Sequence, residues 1–376
     1  MAHRIFGGLL CAALLLSDPA AGAGRCAAWP AWESFKHFYI SDDGRVVDAS
    51  TAQAVTVSEG QAYALLFALA ADDRPGFERI WRWTRNNLSA GDAEHVLPAW
   101  RWGRAGEGTW GVLDHNSAAD ADLWLAYALA EAGRLWHSGP YSEQGRITAA
   151  LVLRDEVALI PGLGATLLPG PRGFVQQQTW RLNASYLPLQ VLRRLQSSGD
   201  APLWMAISES AQRVIVGSAP HGYAADWILY HENRGFTADT ATEGAGSYNA
   251  IRVYLWAGML ADDDPQAPRL LRQLAPLAES AARGGVPESV NTETLTTSGH
   301  APVGFLAALL PLWVRLKLAE PIQAARQRLA AEALRDDQHY YSDVLSLFGL
   351  GWLEGRLRFD RAGQLHPQWT TACTEH

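Results

Sequence analysis

The spacing of the apolar residues restricts this chain more than any other feature. They recur at i, i+3, i+4 and i+7 over most of its length, which is the period of a helix and not of a strand. Segments 29–36, 58–71, 76–88, 118–136, 142–157, 185–195, 203–216, 248–260, 268–283, 303–317, 321–334 and 341–356 read this way. Turn clusters separate them, among them Asp72-Asp73-Arg74-Pro75, Ser138-Gly139-Pro140, Gly199-Asp200-Ala201-Pro202 and Asp262-Asp263-Asp264-Pro265. The spacing thus predicts about twelve helices joined as hairpins, an all-α toroid of six pairs. No fixed repeat marks a solenoid, and no linker divides the chain, so residues 24–376 read as a single domain. Three longer stretches, 89–117, 161–180 and 220–246, read as irregular loops, where function tends to sit.

A net charge of -8 argues against nucleic acid or an anionic membrane as the partner, since both need a basic surface. The first residues read as a signal peptide: Arg4, an apolar run from Ile5 to Leu16 too short to span a bilayer, and Ala21-Gly22-Ala23 as the cleavage site. Residues 1–23 are expected to leave, and the mature chain to be periplasmic or secreted and monomeric, with no later membrane span. Cys26 and Cys373 then remain, one near each end. An oxidising compartment favours a disulfide between them, with two free thiols as the other reading.

The chain has no H-E-x-x-H, no phosphate-binding glycine loop and no G-x-S-x-G, so neither metal nor cofactor is expected. What remains is carboxylates at helix starts beside aromatic loops. Of 16 Trp, several fall outside the helical pattern, among them Trp100, Trp102, Trp110, Trp180 and Trp227. An indole face on a loop can stack on a sugar ring or serve plain packing. Ser58 and Gln61 have the spacing of a capping box, which makes Ser58 the N-cap and Glu59 the first helical residue. From spacing alone, Glu59 reads as a first-turn carboxylate complementing the helix dipole. Asp120 and Asp122 open another helix and, two residues apart, point to different faces. Asn249 and Arg252 open a third and share a face.

Four stretches together resemble glycoside hydrolase family 8, over nearly all of the chain between Cys26 and Cys373. They are Thr56-Val57-Ser58-Glu59-Gly60-Gln61, the run from Leu113 to Trp124, Ser247-Tyr248-Asn249-Ala250-Ile251-Arg252-Val253-Tyr254 and Leu347-Phe348-Gly349-Leu350-Gly351-Trp352. The nearest likeness is to the branch that accompanies bacterial cellulose synthase. The resemblance implies an (α/α)6 barrel and inverting hydrolysis of β-1,4-glucan, with the cellulose synthase machinery as a possible partner. Xylan and chitosan are the family's other substrates. It implies Glu59 as general acid and Asp120 as the carboxylate that holds and distorts the sugar. Tyr186 corresponds to the tyrosine near the attacking water, and Arg252 to the arginine that positions the base. Trp102 and Trp110 are candidate sugar contacts.

One position departs from the pattern. The family's base is an Asp, and here Asn249 stands in its place; Ala119 is a smaller departure, where Ser or Thr is usual. An amide does not accept a proton near neutral pH. Three readings follow. Another carboxylate (Glu243, Asp239 or Asp226) serves as base; or the protein binds glucan with little turnover; or Asn249 is an Asp→Asn change introduced to trap substrate. An all-α scaffold unrelated to sugar is a more remote reading.

Overall fold

A computed structural model of the chain describes residues 28–50, 53–106, 108–332 and 339–371. The segment read as a signal peptide and both Cys26 and Cys373 lie outside them. Among the described residues there are twelve α-helices: α1 (Pro30–Tyr39), α2 (Ser58–Ala70), α3 (Arg74–Asn87), α4 (Ala119–Leu135), α5 (Gly139–Asp155) and α6 (Leu189–Leu195), then α7 (Ala201–Ser218), α8 (Ala250–Gly258), α9 (Ala267–Gly284), α10 (Val303–Arg315), α11 (Ala319–Glu332) and α12 (Tyr340–Leu353). No described helix is long and apolar enough to cross a membrane.

The helices alternate between two layers. Each even-numbered helix packs on the next even one, from α2 through α12, and each also packs on an odd-numbered partner outside it, with α1 covering α12. Burial follows from this. All nine residues of α8 are buried, as are 304–313 of α10, whereas α11 buries only Ala325 and Leu329. A helix apolar all round belongs inside, and one with a narrow stripe belongs outside. Phe348 of α12 closes the ring. Its side chain meets Tyr63 and Phe67 of α2, Trp124 of α4 and Trp256 of α8, with ring centroids 4.8–5.8 Å apart. The helices approach closely where side chains vanish: a Cβ on Gly349 of α12 would collide with the Ala307 backbone of α10.

Three sequence readings need correction. The stretches taken as irregular contain antiparallel hairpins. β1 (Thr56–Val57), β2 (Arg101–Arg104) and β3 (Trp110–Asp114) form one sheet, and β4 (Val157–Ile160) pairs with β5 (Gly164–Leu167). β6 (Val175–Gln176), β7 (Thr179–Leu182), β8 (Ile228–His231) and β9 (Gly235–Ala238) form another. These strands are only two to five residues long, too short for period-2 alternation to show. The predicted helix 185–195 is split: a 3₁₀ turn at Ala184–Tyr186 precedes α6, because Pro188 has no N–H to continue the run. Ser58 is not a capping residue either. Its hydroxyl has no hydrogen-bond partner, and its N–H goes to Trp100 O at 2.9 Å, so the chain passes straight from β1 into α2. Gln61 spends its amide elsewhere, on Val46 N, Gly44 O and Thr84 Oγ1.

Candidate active site

The side chains singled out in the sequence lie at the starts of inner helices. Glu59 is the second residue of α2 and Asp120 the second of α4. Tyr186 ends the 3₁₀ turn before α6, Asn249 immediately precedes α8, and Arg252 is in its first turn. The helices α2, α4, α8 and α12 therefore bring their N-termini, with their positive dipole ends, to one place. A group of carboxylates is favoured there.

Arg252 organises the group. One guanidinium nitrogen, Nη1, donates to Glu59 Oε1 at 2.6 Å, to Asp120 Oδ2 at 3.0 Å and to Tyr63 Oη at 3.0 Å. Nη2 donates to Asn249 Oδ1 at 2.8 Å, while Nε has no partner. The Tyr186 ring lies 5.7 Å from the guanidinium carbon. Arg252 and Asp120 are buried, and the Glu59 side chain stays 23% exposed, open to a ligand. A cavity of about 250 Å³ opens over the cluster, lined by Glu59, Tyr248, Asn249, Arg252 and Tyr341.

Glu59 and Asp120 meet on the same nitrogen of Arg252, close enough for each to shift the other's proton affinity. Burial pushes the Glu59 carboxyl up, but the Arg252 charge, the neighbouring Asp120 and the hydrogen bond from Arg252 hold it below its usual range. Burial pushes Asp120 well above its usual range, and the Glu59 charge adds to this. Asp120 is thus the group that favours a proton, and Glu59 stays paired with Arg252. Burial likewise raises the Tyr186 hydroxyl, which remains protonated.

The amide of Asn249 has a fixed orientation. Arg carries only donors, so the atom facing it must be the amide oxygen. The Nδ2 group is left for the cavity, where it can donate and cannot accept. Among the five residues lining the cavity, Glu59 is the sole carboxylate. The three substitute bases lie differently. Asp239 is buried and held by Arg181 at 2.9 Å and Thr242 at 3.1 Å. Glu243 is exposed on a turn before β10 (Ala245–Gly246). Asp226 meets the Asn249 backbone: its Oδ1 accepts from the N–H groups of Ser247, Asn249 and Ala250 at 2.7–3.0 Å, capping α8.

The tryptophans divide. Trp102 and Trp110 stack at 5.5 Å and 20° across the β2–β3 hairpin, and the Arg45 guanidinium lies 4.4 and 4.9 Å from the two rings. Trp102 stands opposite Thr56, three residues before Glu59, and Trp110 is 51% exposed. Trp227 stacks on Phe174 and lies 6.0 Å from Tyr186. Trp180 is buried against Tyr230, and Trp100 anchors α2 through its backbone oxygen. Sequence reasoning missed Tyr63 and Tyr341. Tyr63 was recoverable, being four residues from Glu59 on the same helical face. Tyr341 holds the same place in α12 that Glu59 holds in α2.

Comparison with known proteins identifies the family. The model of glycosyl hydrolases family 8 matches residues 9–355. An endoglucanase of Salmonella typhi is 45% identical over 355 residues, covering 94% of this chain and 95% of its own. One from Escherichia coli K12 is 44% identical, covering 92% of each. The crystal structure of an endo-1,4-D-glucanase from Vibrio fischeri ES114 superposes with a TM-score of 0.88 at 43% identity, covering 92% of this chain and all of the other. With a family match across most of its length and relatives this similar, the chain belongs to glycosyl hydrolase family 8 and has its (α/α)6 barrel fold.

Proposed function

We propose that this protein is an endo-1,4-β-glucanase that binds β-1,4-glucan over the Glu59–Asp120–Arg252 cluster and cleaves it with inversion, slowly compared with how firmly it holds the chain. The observation that carries this reading is the amide of Asn249, turned by Arg252 so that it offers the cavity only a donor. Inverting hydrolysis needs one carboxylic acid at the leaving oxygen and a base for water on the opposite face. Glu59 supplies the first. Asp120, which burial keeps protonated beside it, is the neighbouring source of its proton. The second function has no carboxylate in the cavity. The stacked Trp102 and Trp110 offer an apolar face to sugar rings next to the acid.

The biological setting is part of the same proposal. Its support is the leader-like sequence of residues 1–23 and the likeness to the branch found with cellulose synthase. The mature protein is then periplasmic or secreted, monomeric, tied by Cys26–Cys373, and acts on nascent glucan.

A reducing-end assay on carboxymethyl cellulose tests the reading. Asn249→Asp should raise the rate by about 10²–10⁴-fold, the usual contribution of a general base. Glu59→Gln should abolish turnover in either background. An ordinary rate in the unmodified chain, unchanged by Asn249→Asp, would sink the slow-turnover reading.

A further inference from the structure

Directly beneath Asp120, the start of α4 buries a second pair of acids that the hydrolysis does not use. Asp122 and Glu156 are both fully buried, and they are close enough for each to shift the other's proton affinity. Ser117 Oγ donates to Glu156 Oε1 at 2.5 Å. No donor of the protein reaches either oxygen of Asp122 or Glu156 Oε2. Two fully buried carboxyl groups with three oxygens that no donor reaches cannot both be ionised, so the pair holds a proton.

The pair sits at a junction. Glu156 follows the last residue of α5, and its carbonyl accepts from Leu168 N at 2.7 Å, just after β5. Pro169 O accepts from Ala119 N at 3.0 Å, in the first turn of α4. Ser117 lies three residues before Asp120 and Asp122 two after it, so contacts to Glu156 flank the active-site carboxylate on both sides.

We propose that the proton shared by Asp122 and Glu156 is a positioning element: it clamps the first turn of α4 so that Asp120 reaches Glu59 and Arg252. Asp122 and Glu156 are then positioning residues acting through Asp120. Burial favours the protonated form, taking Glu156 up to about 8 against the pull of Ser117 and Asp122, and Asp122 well above the carboxylate range. The charges facing the pair are Asp120 from α4 and Asp155 from α5, the latter paired with Arg154 at 2.6 Å. Both carboxylates act against losing the proton.

The test compares the unmodified protein with Glu156→Gln, whose amide donates permanently to Asp122 and still accepts from Ser117. Thermal melting and cellopentaose affinity, the latter from Trp fluorescence, are followed from pH 5 to pH 9. An acid with a raised folded-state pKa gives stability that is complete below its unfolded range and lost as pH rises through the folded value. The unmodified protein should therefore lose melting temperature between about pH 5 and about pH 8, and lose affinity near pH 8. Glu156→Gln should make both curves shallower by the share that the Asp122–Glu156 pair contributes. Glu156→Ala, which leaves Asp122 alone, should weaken binding tenfold or more at every pH. Superimposable curves for Glu156→Gln and the unmodified protein would overturn the proposal. The affinity arm rests on the glucan reading, and the melting arm does not. Loss of sugar binding in every form at every pH would therefore count against that reading, while the melting curves still decide the clamp.

Discussion

Arg252 Nη2 donates to Asn249 Oδ1 at 2.8 Å while Nη1 of the same guanidinium binds Glu59 at 2.6 Å. The residue on the water side and the acid thus share one cation. A neutral partner at 249 leaves the full positive charge to Glu59 and Asp120. This lowers the acid's hold on a proton, so Asn249 affects both halves of the reaction.

Asn249→Asp should accordingly shift the pH profile as well as the rate. A new carboxylate draws Arg252 toward itself and raises the proton affinity of Glu59. The acid must be protonated to act, so the alkaline limb of kcat/KM should move to higher pH than in the unmodified protein. Profiles of both forms on soluble cellulose check this, and a limb that stays or moves down contradicts it.

Removing Arg252 should be costly to folding. Arg252→Ala leaves the Glu59 carboxylate beside buried Asp120 without its cation, a kind of loss worth about 3–5 kcal/mol when such a pair is buried. Arg252→Lys should rescue little, because one ammonium cannot copy a fork that reaches four side chains. Urea melts at neutral pH measure both.

Two tryptophans should separate binding from stability. Trp110 is half exposed, so Trp110→Ala should weaken cello-oligosaccharide binding by about 0.5–1.5 kcal/mol, the scale of one aromatic contact, with little change in melting. Trp124 is fully buried among Tyr63, Tyr127, Trp256 and Phe348, so Trp124→Ala should cost about 3–5 kcal/mol of stability. Calorimetric titration and thermal melts distinguish the two.

Gly349→Ala should destabilise the barrel by about 1–3 kcal/mol, since the added methyl meets the Ala307 backbone rather than a yielding side chain. Thermal melting checks this; a neutral result would show that α10 and α12 can part without cost.

The helices were legible because each is long enough to display its period several times. All twelve predicted segments contain an α-helix, although Pro188 cuts one short. The hairpins were not legible, because strands such as Val175–Gln176 carry no period at all. At the site, Asn249 and Arg252 were paired by helical spacing, and the bond between them exists. Glu59 and Asp120 needed the family likeness, because a first-turn carboxylate looks the same whether it caps or catalyses. Asp122 meets Glu156 across 34 positions of sequence, a distance at which local pattern carries no information.

The closure of the inner ring by Phe348 bears on how the chain reaches this state. The contacts that join α12 to α2 span nearly 300 residues, and α1 packs on both α12 and Phe67 of α2. A polypeptide emerging from its N-terminus therefore carries an unfinished ring until almost its last helix is available, and contacts so distant in sequence favour slow folding. Meanwhile the all-round apolar inner helices have no complete neighbour. Folding of this barrel is thus tied to completion of the whole chain, and a partly synthesised chain has no closed site with which to grip a polysaccharide.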